Sequence, residues 1–179
     1  MAETSGNLLS QDFTNNSWSG TNKSSRHGNT IIAGVNGKYV ESTISLSDSL
    51  NASQINGGWT SILGADIWSW NNKDQVTTMK QTITNADGEV TTQVRNISTT
   101  SSNSYTSYTD SYTQGINSQS DYDIAVKFSF DESSNSSGHQ ATDLKNPLLT
   151  IEYSLLNTSQ VTELKTMNET VYNTVEDID

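Results

Sequence analysis

Ile124-Ala125-Val126-Lys127-Phe128-Ser129-Phe130 alternates without a break. Ile124, Val126, Phe128 and Phe130 share one face, and Lys127 and Ser129 share the other. A strict period of two marks a strand with one face in a core and one in water. Leu149-Thr150-Ile151-Glu152-Tyr153-Ser154-Leu155 repeats the pattern, with Leu149, Ile151, Tyr153 and Leu155 facing inward. The single proline, Pro147, stands just before it, where a strand starts without losing a ladder bond. Thr82-Ile83-Thr84 leads into Asn85-Ala86-Asp87-Gly88, and Glu89–Val94 leads out. Asp-Gly between β-prone segments predicts a hairpin, because glycine tolerates the positive φ of such turns. Further strands are predicted at about residues 30–35, 38–46 and 61–70, with Gly57-Gly58 in a loop. The Ser/Thr/Asn-rich span 98–121, which carries Tyr105, Tyr108 and Tyr112, is predicted to be a long loop. About eight strands with polar connections, and no strong helix before residue 158, give an all-β fold of two antiparallel sheets packed face to face.

Composition narrows the function classes. Hydrophobic residues make up 31% of the 179, while Ser, Thr and Asn together supply about two in five. Four Trp, seven Tyr and the clean alternations argue against a disordered chain. The net charge of −11 repels phosphate backbones and offers no polybasic attraction to anionic lipid, which speaks against nucleic-acid and membrane partners. With no cysteine, disulfides, thiolate catalysis and Cys-based metal sites are excluded. Met1–Gly6 shows neither a basic nor an apolar signal region, so release in a virus particle or excision from a longer chain is expected, with an extracellular or virion location.

The start of the chain carries a fold-level resemblance. Asn7-Leu8-Leu9-Ser10-Gln11-Asp12-Phe13, followed by Trp18-Ser19-Gly20, resembles the opening of carbohydrate-binding-type jelly-roll modules. It departs from their pattern at Gln11, where glycine is more usual. The resemblance extends loosely to residue 155, implies a jelly-roll-like β-sandwich over residues 1–156, and implies that Leu149–Leu155 closes the fold beside the first strand. It also implies a structural calcium between the N-terminal segment and the last strand, with Asp143 as one ligand and Asp12 or Glu3 as another. Calcium needs six to eight oxygens, many of them backbone carbonyls that a sequence does not reveal. No other cofactor is expected.

Ile62-Leu63-Gly64-Ala65-Asp66-Ile67-Trp68-Ser69-Trp70 holds the candidate binding residues. With Leu63, Ala65 and Ile67 facing the core, Asp66, Trp68 and Trp70 share the opposite face. Indole rings beside a carboxylate make a platform on which a sugar ring stacks while polar groups fix its orientation. Trp59 and Tyr39 are further candidates for the same glycan site. The competing reading places these Trp rings in the core. No catalytic residue is nominated. Carboxylate pairs such as Asp66 with Glu41 or Glu89 are not selected by any spacing, and His27 and His139 stand outside any ligand motif.

Val161, Leu164, Asn168, Val171, Val175 and Ile178 fall at alternating spacings of three and four, the a/d seam of a short coiled coil. Residues 157–179 are therefore expected to be a helical or extended self-association segment that makes a dimer or trimer. A lone helix packed on the sandwich, or a strand at Thr170–Val175, uses many of the same residues. Together these readings point to a non-enzymatic structural or attachment component of an extracellular assembly, a virion decoration, spike or fibre protein. The alternative is a carbohydrate-binding module of a secreted polysaccharide-active protein, and a cell-surface glycan is a candidate partner in either case. Light scattering tests the tail: the whole chain is expected as a dimer or trimer, and a version ending at Asn157 as a monomer. Monomers in both cases would contradict the heptad reading.

Overall fold

The computed structural model describes residues 2–21, 29–35, 37–69, 75–99, 104–132 and 140–155, with 162, 165 and 166. Ten strands are described: β1 (Glu3–Thr4), β2 (Ser19–Gly20), β3 (Ile31–Val35), β4 (Lys38–Ser45), β5 (Trp59–Ser69), β6 (Gln75–Asn85), β7 (Val90–Thr99), β8 (Thr106–Gln114), β9 (Tyr122–Glu132) and β10 (Gln140–Tyr153). One sheet places β10 between β5 and an edge shared by β1 and β3, with β8 beyond β5. The second runs β2-β4-β9-β6-β7, and every pairing in both sheets is antiparallel. From β3 onward the chain changes sheet at each connection except the β6–β7 hairpin. This is a jelly-roll-like β-sandwich.

The alternating segments fill the space between the sheets. Ile124, Val126, Phe128 and Phe130 are fully buried, and so are Leu149 and Ile151. Leu155 is 54% exposed, because β10 ends at Tyr153 and the inward alternation ends with it. Phe13 and Trp18 come from the N-terminal segment, with their rings 5.0 Å apart and Trp18 6.2 Å from Phe128. The Trp18 indole N–H donates to the Ser10 carbonyl at 3.1 Å, so its one polar atom is satisfied inside the core.

Two expectations need correction, and one short helix joins the strands. The span 98–121 is not one loop, since Thr106–Gln114 forms β8 and pairs with β5 from Ile67 back to Trp59. Its inward side chains, Tyr108, Asp110, Tyr112 and Gln114, are only half-buried, so an edge strand forms there without any aliphatic residue. A short helix, α1 (Ala52–Asn56), precedes β5 and begins with a capping box, in which the Asn51 side chain accepts from the Gln54 amide and the Gln54 side chain from the Asn51 amide. The closing strand starts at Gln140 rather than after Pro147. It passes the proline through a bulge, where the register slips between Lys145 and Leu148 and Asn146 takes a φ of 50°.

The N-terminal segment holds that bulge. Asn7 Nδ2 and Gln11 Nε2 both donate to the Pro147 carbonyl, at 2.9 and 2.6 Å. Asn7 Oδ1 accepts from the amides of Leu9 and Leu149. Gln11, the residue that departs from the glycine of the resembled modules, thus has a task of its own here.

A second clamp closes the other end. Asp121, just before β9, accepts from the Ser45 hydroxyl at 2.6 Å, the Ser47 hydroxyl at 2.7 Å and the Ser47 amide at 2.9 Å. Burial pushes this carboxyl up, but the hydroxyls of Ser45 and Ser47 with the amides of Ser47 and Tyr122 outweigh it and hold it below the usual 3.8. A carboxyl depressed in the fold adds stability above its unfolded pKa, and loses it as the pH falls through the folded value. Asp121→Asn is therefore expected to lower the melting temperature at pH 7 and to flatten the acid limb below about pH 4. An acid limb identical to that of the unaltered protein would refute the clamp.

Candidate functional site

The chain's inward and outward parity along β5 settles which residues meet. Leu63, Ala65 and Ile67 are buried, so Asp66 and Trp68 stand on the outer face of the β10-containing sheet, where both are half-buried. In the ladder Asp66 lies opposite Lys145 of β10 and Ser107 of β8, and Trp68 lies opposite Asp143. The Ser107 hydroxyl donates to Asp66 Oδ1, while Asn146, carried outward by the bulge, donates from Nδ2 to Oδ2 at 2.7 Å. Both carboxylate oxygens are thereby fixed in direction.

Tyr105, just before β8, completes the surface. Its ring centroid lies 6.0 Å from that of Trp68 at 44°, and Lys145 Nζ sits 4.0 Å from its ring centre. Trp68, Tyr105, Asp66, Lys145, Ser107 and Asn146 thus form one patch of two rings bordered by a carboxylate, an ammonium, a hydroxyl and an amide. Tyr105 was hidden by the loop reading of its segment. Once Thr106–Gln114 is a strand, Tyr105 has the outward parity of Ser107.

The other sequence candidates separate. Trp59 shares the inward parity of Ser61 and Leu63, is 2% exposed, and packs on Tyr122 and Tyr112 at 5.1 and 5.8 Å, so it is core rather than platform. Tyr39 is on β4, in the opposite sheet, with Lys127 Nζ 3.5 Å from its ring centre and Glu41 3.7 Å from the same ammonium. Glu41 therefore does not face Asp66, and this pair cannot flank a glycosidic bond. Trp70 lies outside the described residues, as do Val161, Leu164, Asn168, Val171, Val175 and Ile178.

The calcium candidates stand in different settings. Asp143 is 1% exposed within β10, opposite Ala33 and Trp68. Asp12 is half-buried, and its carboxylate accepts from the Thr14 hydroxyl at 2.7 Å and the Thr14 amide at 2.8 Å, with Asn29 at 3.4 Å. The Thr14 hydroxyl and amide hold it below the usual carboxylate range, aided by Asn29 and against a small effect of burial. Glu3 is engaged with Tyr153. No three His, Asp or Glu side chains among the described residues cluster as metal ligands.

No protein-family model matches the chain, and no curated protein matches it. Solved structures to which it is similar include the N-terminal CBM22-1–GH10 modules of endo-1,4-beta-D-xylanase 10B from Clostridium thermocellum, complexed with xylohexaose. That match has a TM-score of 0.48 and 8% identity, and covers 88% of this chain and 30% of that one. The C-terminal family 22 carbohydrate-binding module of the same enzyme matches at a TM-score of 0.44 and 8% identity, over 86% of this chain and 98% of that one. The infectious bursal disease virus Gt strain structure matches at 0.45 and 10%, over 85% and 31%. At such identities the likeness concerns the arrangement of strands, and the ligand has to be argued from this chain's own residues. No helix among the described residues is long and apolar enough to cross a membrane.

Proposed function

We propose that the chain is a non-enzymatic recognition module that binds a neutral glycan on the outer patch around Trp68 and Tyr105. The observation that carries this reading is the pairing of two half-buried rings with an Asp66 carboxylate whose oxygens are both held by Ser107 and Asn146. Sugar rings offer apolar C–H faces and equatorial hydroxyls, and such a patch answers both: rings for the faces, fixed polar groups for the hydroxyls. The bulge and the ladder place Asp66, Trp68, Ser107, Lys145 and Asn146 on strands, with Tyr105 one residue before β8, which lowers the ordering cost of binding.

Carriage on a larger extracellular assembly remains the natural setting for such a module, and it rests on the C-terminal heptads alone. Binding to a panel of neutral oligosaccharides, measured by calorimetry, tests the recognition reading. Trp68→Ala is expected to weaken the best ligand at least about tenfold, ~1.4 kcal/mol, with the melting temperature little changed because the indole is only half-buried. Unchanged binding in Trp68→Ala would overturn it.

A further inference from the structure

A second cavity lies about nine residues back along β5, ~30 Å from Trp68 at the rise of an extended strand. It has a volume of about 290 Å³ and opens between the β6–β7 hairpin, the end of β8 and the loop leading into β9. That is the lower end of the range for small-molecule sites. Tyr112 and Tyr122 give it aromatic walls, and Asn85, Glu89, Gln114 and Gln119 give it polar ones. Trp59 packs behind both tyrosine rings and keeps them in place.

The walls are already rigid. Asn117 Nδ2 donates to the carbonyls of Ile55 and Gly115, Asn56 Nδ2 donates to the Gln119 carbonyl, and the Gln119 amide donates to Asn117 Oδ1. The loop into β9 is thus tied to α1. Asn85 Nδ2 donates to Glu89 at 2.9 Å, and the Tyr112 hydroxyl donates to Gln114 Oε1 at 3.0 Å.

Tyr122 is the exception. It is 4% exposed, yet none of the hydrogen bonds among the described residues reaches its hydroxyl, which belongs to a side chain lining the cavity. Burial, with Tyr112, Glu89 and Asp87 nearby, pushes this phenol up to about 12. The hydroxyl meets solvent within the cavity, where a ligand hydroxyl can take the place of a bound water.

We propose that this cavity binds a single neutral pyranose residue, its ring against Tyr112 and one of its hydroxyls bonded to the Tyr122 hydroxyl. Among the described residues of the lining Glu89 is the only charged one, with Asp87 held beside it by Gln119, and no Lys, Arg or His among them attracts a phosphate or a uronic acid. Asn85 is occupied by Glu89 and the turn amides, and Gln119 Nε2 donates to Asp87, so the Gln114 amide and the Gln119 side-chain carbonyl oxygen are the groups placed for vicinal hydroxyls. The site is independent of the outer patch and would stand if that patch bound nothing.

The test is a titration of the whole isotope-labelled chain with glucose, galactose, mannose, xylose and N-acetylglucosamine, followed through the amide signals of Gln114, Asn117 and Tyr122. One of these sugars is expected to shift those signals saturably. Tyr122→Phe should weaken that sugar about tenfold with the melting temperature little changed, since the hydroxyl it deletes faces the cavity. Trp68→Ala should leave the titration unchanged. The proposal fails if none of the sugars shifts these signals, if tetramethylammonium shifts them where sugars do not, or if Tyr122→Phe binds the sugar as tightly as the unaltered protein. It fails equally if Trp68→Ala abolishes the shifts.

Discussion

The Pro147 carbonyl is where the fold and its outer patch are joined. Proline brings no N–H to the ladder, so β10 slips register around it, and the freed carbonyl needs donors. Asn7 and Gln11 supply them from the far end of the sequence. Asn7 meanwhile accepts from the Leu149 amide, so the N-terminal segment is fastened to the strand just beyond the bulge. The same bulge turns Asn146 outward onto Asp66. A closure spanning about 140 residues thus also fixes the direction of a carboxylate on the surface.

Two end regions of one sandwich carry different chemistry for a common reason. Along β5 the even positions 66 and 68 face out and the odd positions 59, 61 and 63 face in. At one end of the strand this parity offers Trp68 outward beside Tyr105. At the other it sends Trp59 inward, where it supports Tyr112 and Tyr122 at the mouth between the sheets. The first is an open surface, and the second is a recess of about 290 Å³ that opens between the β6–β7 hairpin and the loop into β9.

Much of the fold was legible because a strand states its burial in every second residue. Ile124–Phe130 and Leu149–Tyr153 did so in hydrophobic letters, and the Asp87-Gly88 turn was readable from its backbone demands, with Gly88 at a φ of 86°. Strand β8 was not legible, because Tyr, Ser, Thr and Asp alternate there in a manner that polar loops also show. Its strand character comes from the ladder with β5, which is information held by the partner. The helix at Ala52–Asn56 did carry its signal, Asn51 with Gln54 at capping-box spacing. Of the candidate site, Asp66 and Trp68 followed from parity alone, and the same parity places Trp59 inside. Tyr105, Lys145 and Asn146 are brought in from β8 and β10 by pairing, which no single segment encodes.

The tryptophans divide the labour: Trp18 and Trp59 build the core, and Trp68 is the one proposed to meet a glycan. The indole N–H signals of the labelled protein measure this directly during titration with neutral oligosaccharides. The Trp68 signal is expected to move saturably while the Trp18 signal stays where it is. A ligand that leaves Trp68 unmoved, or that moves the Trp18 signal as far as that of Trp68, would contradict it.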